Sequence, residues 1–190
     1  MEYAEYGAWV QGQITLFKNK YRIESARLKG YDYSSPGAYF ITVCTKDREC
    51  LLGGIVDRQM ILNHFGKIVL ECWHDLPNHY SNIILDEFVI MPNHIHGIIC
   101  IDNAVETGFK PVSTIKPVST ELNHGLYEFV RALKTFSSRR INTNRQMPGY
   151  PVWQSRFYEH IIHNETELKR IREYITNNPL NWETDENYKG

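Results

Sequence analysis

The stretch that most constrains the fold is SNIILDEFVIMPNHIHGIICI, Ser81 to Ile101. Two runs rich in Ile, Val and Phe flank Pro92-Asn93, a pair that turns the chain, so the segment reads as an antiparallel hairpin. Side chains on a strand alternate faces. His94 and His96 therefore point the same way, roughly 7 Å apart along the chain, and Ile95 points the other way. Two imidazoles on one face of a rigid strand can chelate a divalent ion at little ordering cost. Two incidental polar residues on a strand would have the same spacing, so the pair alone leaves both readings open.

The elements around the hairpin follow a definite order. GAYFITVCT (Gly37 to Thr45) is aromatic and β-branched and reads as a strand. In DRQMILNHFGKIVLECWHDLP, Ile61, Phe65, Ile68 and Cys72 recur at three-to-four spacing, which predicts a helix opened by Asp57 and stopped before Pro77. After the hairpin, TGFKPVSTIKPVSTELN repeats KPVST within a few residues and predicts a mobile surface loop at about 103–122. Leu126, Phe129, Val130 and Leu133 mark a second helix. VWQSRFYEHIIHN reads as a last strand or strand pair, and Asn164 with Glu167 caps a final helix that Pro179 stops. This is the α+β, ferredoxin-like order βαββαβ, an antiparallel sheet with helices on one face plus a C-terminal helix. The expected organisation is an N-terminal extension over 1–36, one domain over 37–182 and a tail over 183–190.

Composition removes several classes. The 190 residues, 42% hydrophobic, can bury one substantial core. No apolar run approaches the roughly 18 residues of a membrane span, and the start MEYAEYGAWVQGQITLF lacks the basic-then-apolar order of a secretory signal, so a cytoplasmic protein without a membrane partner is expected. Cys44, Cys50, Cys72 and Cys100 show no CxxC spacing, which points to reduced thiols. The net charge of −1 hides an asymmetry: from Arg131 to Arg172 nine Lys/Arg face three Asp/Glu, while the chain before Arg131 has eleven against fifteen. A local positive field suits a phosphate-tracking groove, and it equally suits a solvated helix face.

A metal at the histidine pair would need further ligands from elsewhere. Gly97-Ile98 follows where metallo-β-lactamase-like sites carry an Asp-His pair, cupins are all-β, and HxH amidohydrolases need a longer barrel. The final helix offers candidates. In REYITNNP, Tyr174 and Asn178 are four residues apart and share a face, which Ile171 and Ile175 direct at the protein. Taken alone, Tyr174 is as well explained as a core aromatic and Asn178 as a helix-end asparagine.

Five blocks in order resemble the single-tyrosine HUH transposases, most closely the branch associated with repetitive extragenic palindromes: GYDYSSPGAYFITVCTKDREC, VIMPNHIHGII, VRALKTFSSRRIN, VWQSRFYEHIIHN and YITNNP. The resemblance spans roughly Arg27 to Trp182. It implies that His94 and His96 are the metal-binding pair, Tyr174 the catalytic nucleophile and Asn178 the third ligand, where insertion-sequence relatives usually carry Gln. It also implies a Mg²⁺ or Mn²⁺ cofactor, cleavage and rejoining of single-stranded DNA beside a hairpin through a 5′-phosphotyrosine, and a homodimer among the assemblies open to the chain. Arg131, Lys134, Arg139 and Arg140 are then the candidates for phosphate contact, and Trp153 and Phe157 for stacking on bases. Two other classes stay open: a non-catalytic binder of DNA hairpins on the same fold, and a metal-dependent nuclease that uses activated water.

Overall fold

A computed structural model describes residues 15–17, 20–22, 30–102 and 124–188. The loop expected at about 103–122, most of the N-terminal extension and the last two residues of the tail lie outside them. The chain divides into two compact units, Met1–Asp32 and Tyr33–Gly190. In the first, strands β1 (Thr15–Phe17) and β2 (Lys20–Arg22) pair antiparallel.

The second unit is built on a four-stranded antiparallel sheet. Its strands are β3 (Gly37–Cys44), β6 (Ile83–Ile90), β7 (His94–Ile101) and β8 (Tyr158–Ile162), in the order β6-β7-β3-β8. That is the expected ferredoxin-like arrangement, and it puts the histidine strand inside the sheet. The hairpin forms as predicted, with Ile90 opposite Ile95 and the Met91 N–H donating to the His94 carbonyl at 2.8 Å.

Each sheet face has its own cover. Tyr39, Ile41 and Val43 of β3 share a face with Ile95, Gly97 and Ile99 of β7, and helices α1 (His64–His79) and α2 (Leu126–Asn144) pack over it. Trp73 of α1 lies flat on Phe88 at 4.1 Å, directly over Gly97. A Cβ on Gly97 would stand 2.6 Å from the Trp73 ring, so the close approach of helix to sheet requires glycine there. On the opposite face, Phe40 and Ile98 form a cluster with Ile171 and Ile175 of α3 (Glu165–Asn177). The C-terminal helix thus covers the face to which His94 and His96 point.

The region after β3 departs from the sequence expectation. Gln59–Leu62 is a strand, β5, paired with β4 (Gly53–Val56), and not the first turn of a helix. Asp57 and Arg58 both take left-handed φ values of 50° and 61°, the geometry of a tight two-residue hairpin loop. The helix begins one element later, where the Asn63 side chain accepts from the Phe65 and Gly66 N–H groups. It also runs past Pro77 to His79: the proline forfeits one helical N–H bond, and Tyr80 N–H still closes the last turn on the Leu76 carbonyl at 3.1 Å.

Helix α3 starts as predicted. Asn164 Oδ1 accepts from Glu167 N–H at 2.9 Å, and Glu167 reaches back to His163 N–H at 2.7 Å and to His160 Nε2 at 2.7 Å. At the opposite edge of the sheet, Asp86 lies two residues from Ile84 on the face that α3 covers, and the irregularity between Leu85 and Phe88 returns Phe88 to the other face, opposite Gly97. There Arg172 donates to both carboxylate oxygens, from Nε at 2.8 Å and Nη2 at 2.5 Å. The helix is therefore tied to both edge strands, β8 and β6. At Asn178 it tightens into a 3-10 helix, Asn178–Thr184, with Pro179 in its first turn.

Candidate metal and nucleophile site

His94 and His96 are buried, 0% and 2% exposed, with their Nε2 atoms 3.0 Å apart. Each ring is held at its other nitrogen: His94 Nδ1 lies 2.8 Å from Asn93 Oδ1, and His96 Nδ1 lies 2.8 Å from Thr42 Oγ1. Burial pushes both imidazoles away from the charged form. His94 falls from 6.5 to about 4, and His96 drops well below its ordinary value, with the neighbouring His94 adding to the effect. Both rings stay neutral at physiological pH, so each keeps one bare ring nitrogen.

Tyr174 and Asn178 arrive from α3 on the same face, as their four-residue spacing requires. Tyr174 Oη lies 3.2 Å from His96 Nε2, and its ring stands edge-on to Phe40 at 6.1 Å. Burial raises its phenol well above the ordinary range, and the charges of Asp185 and Glu186 raise it further. Asn178 is buried. Its Nδ2 donates to Asp185 Oδ2 at 3.2 Å, while its Oδ1 is, among the described residues, a buried side-chain oxygen with no hydrogen-bond partner.

Asp185 is the residue that sequence reasoning missed. Ligand atoms of His94, His96 and Asp185 all lie within 4.8 Å of one another. The carboxylate is placed by the 3-10 helix that follows α3 and by Asn187 N–H, which donates to Asp185 Oδ1 at 2.7 Å. It lies seven residues beyond Asn178, but Pro179 between them reads as the end of the helix, so no α-helical face can be projected across it. Two imidazole nitrogens and a carboxylate form a donor set that fits a divalent cation, and Asn178, whose amide nitrogen donates to that carboxylate, carries an unpartnered buried oxygen.

The other expected residues lie elsewhere. Trp153 is 6% exposed and its indole N–H donates to Ser137 Oγ at 2.9 Å. It is a core residue with no face to offer a base, which corrects the stacking expectation. Phe157 is half-buried against Tyr127. Lys134 spends its ammonium on the carbonyls of Gln154 and Ser155, at 2.6 and 3.1 Å. Arg131 is exposed and pairs with Glu128 at 3.0 Å. Arg139 and Arg140 line a cleft between α1 and α2, where Arg140 is bound to Glu71. The basic candidates on α2 therefore belong to the helical layer across the sheet from Tyr174.

No family model matches the chain. An uncharacterized protein of Haemophilus influenzae is 41% identical over 169 residues, covering 86% of this chain and 92% of the relative. Among solved structures, a REP-associated tyrosine transposase bound to a REP hairpin is similar with a TM-score of 0.56, at 17% identity over 81% of this chain and 73% of that one. No helix among the described residues is long and apolar enough to cross a membrane. This chain thus belongs to one family with the Haemophilus influenzae protein, and its fold is that of a tyrosine transposase.

Proposed function

We propose that the chain cleaves and rejoins single-stranded DNA beside a hairpin, with Tyr174 as nucleophile and a divalent cation held by His94, His96, Asp185 and Asn178. The observation that carries this reading is the position of Tyr174 Oη, 3.2 Å from His96 Nε2 at the edge of the converging donor set. A structural tyrosine would not need two buried, neutral histidines and an unpartnered amide oxygen around it.

The roles follow from the residue types. Tyr174 Oη attacks phosphorus and loses its proton as the Oη–P bond forms; the P–O3′ bond breaks, and the departing oxygen takes up a proton to give a free 3′-OH. The product is a phosphotyrosine on the 5′ side, whose ester energy allows a second 3′-OH to attack and reseal the strand. When bound, the cation supplies positive charge on the non-bridging oxygens of the scissile phosphate. Mixed imidazole and oxygen ligands favour Mn²⁺ over Mg²⁺, which prefers oxygen alone. Asp185 serves twice: as a ligand it completes the donor set, and once so engaged its charge no longer holds the Tyr174 proton in place.

DNA as the substrate accords with the fold, since the similar structure was solved with a hairpin bound. Because the α2 basic residues and Tyr174 lie on opposite sides of the sheet, a strand that touches both passes around a sheet edge. Arg139, which is exposed, is the better placed of the α2 residues to meet a phosphate.

The test is direct. With a hairpin-bearing single strand and Mn²⁺, the protein should form a covalent adduct that survives a denaturing gel. Tyr174→Phe should abolish it, as should His94→Ala combined with His96→Ala. Cut DNA without a protein-DNA bond would identify a water-using nuclease, and an undiminished adduct in Tyr174→Phe would end the assignment.

A further inference from the structure

The two histidines look equivalent in sequence, yet their partners differ in kind. Asn93 is fully buried. Its Nδ2 donates to two carbonyls, Asn187 O at 2.8 Å and Arg48 O at 3.2 Å, and neither of these can donate in return. The amide orientation is thereby fixed, and the atom facing His94 Nδ1 is the acceptor Oδ1. His94 Nδ1 must carry the hydrogen, so His94 Nε2 is a bare lone pair.

His96 faces a hydroxyl. Thr42 Oγ1 can donate to His96 Nδ1 or accept from it, by rotating its hydrogen. With the two Nε2 atoms 3.0 Å apart and the His94 one bare, the metal-free pair is satisfied when His96 carries its hydrogen on Nε2 and donates it to His94. When both Nε2 atoms turn their lone pairs to a cation, the His96 hydrogen belongs on Nδ1, where Thr42 accepts it.

We infer that Asn93 is a positioning residue that locks His94 in its ligating tautomer, while Thr42 lets His96 exchange tautomers as the metal enters. The exchange moves one hydrogen from Nε2 to Nδ1 of the same ring and leaves the ring neutral. Asn93 acts on the other end of the site as well. Through Asn187 O its amide holds the segment whose backbone sets Asp185, so one buried side chain links ligands from the middle and the end of the chain. Arg48 reinforces that hold, donating from Nη1 to the Glu186 carbonyl at 2.9 Å.

The inference rests on the metal reading of the proposed function and is tested without DNA. In the metal-free full chain, imidazole ¹⁵N shifts should show His94 as Nδ1–H and His96 as Nε2–H. On adding Zn²⁺ as a diamagnetic probe, His96 should become Nδ1–H while His94 keeps its tautomer. Mn²⁺ titration should show affinity falling about 10–100-fold in Asn93→Ala, the usual effect of losing a ligand's outer partner. Asn93→Asp retains an acceptor for His94 and should leave its tautomer unchanged, but it removes both amide donors and should still weaken Mn²⁺ binding. Thr42→Val keeps the shape and should lower affinity without disturbing His94. A metal-free His94 found as Nε2–H would overturn the inference, and this measurement needs no variant to fold. Unchanged Mn²⁺ affinity in a folded Asn93→Ala would do the same. Correct tautomers with no DNA adduct would count against the tyrosine chemistry alone.

Discussion

Acid should unfold the metal-free protein through its two histidines before it reaches the carboxylates. In the unfolded chain a histidine takes up its proton near 6.5, whereas buried His94 does so only at about 4. Between those values the unfolded state binds more protons, so stability falls as the pH falls, and the His94 share of the loss levels off below about 4. A shift from 6.5 to about 4 corresponds to a loss on the order of 3 kcal/mol for His94. His96, moved in the same direction, adds to it. Asp86, held down first by Arg172, and Glu128, held down first by His124, lose their contributions only below their ordinary 3.8 and 4.5, so most of the histidine window is separate. Urea unfolding with chelator present, at half-unit steps from pH 7.5 to 4, would measure the curve. His94→Gln, uncharged throughout, should flatten it. Mn²⁺ at about a hundred times its dissociation constant should add roughly 2.7 kcal/mol at neutral pH, a gain that disappears as the ligands protonate. A wild-type loss below about 0.5 kcal/mol across that range, no larger than an ordinary surface change, would refute the buried, neutral pair.

Other consequences are simpler to check. Asp185→Asn should weaken Mn²⁺ binding at least about tenfold, seen by calorimetry, and should lower the Tyr174 phenol toward its ordinary range, seen by ¹³C shifts of the ring, because Asp185 now raises it. Gly97→Ala should destabilise by about 1–3 kcal/mol in thermal unfolding, since the new methyl meets Trp73 at 2.6 Å and Phe88 at 3.0 Å. Ser137→Ala strips the buried Trp153 indole of its acceptor and should cost about 1–3 kcal/mol, with a shift in tryptophan fluorescence.

Much of this architecture is legible in the sequence. β3, the β6–β7 hairpin and the capped final helix announce themselves through alternation, a Pro-Asn turn and an Asn-x-x-Glu start, all set by short-range chemistry. The β4–β5 hairpin escapes a sequence reading because Ile61 fits the helical spacing of Phe65 and Ile68, and no glycine marks the Asp57-Arg58 turn. Tyr174 and Asn178 could be placed on one face by counting, but the count says nothing of what that face meets. The choice of the histidine strand depends on α3 crossing the sheet and being tied at both edges, a tertiary fact. Asp185 is hidden for a similar reason: a reading that stops the helix at Pro179 does not foresee the 3-10 turns that carry the chain on to it. Trp153 shows the opposite error, an aromatic in a basic region whose burial only packing could reveal.

The sheet order also sets a schedule. β7 lies between β6 and β3, both earlier or adjacent in the chain, so the histidine pair can be framed while synthesis is still in progress. Tyr174, Asn178 and Asp185 emerge 78 to 91 residues after His96 and His94, respectively, on the last helix and the turn beyond it. On the proposed chemistry, a nascent chain owns half a metal site and no nucleophile until α3 and the 3-10 helix after it are made. Cleavage of nearby DNA thereby waits for α3 and the turn that follows it.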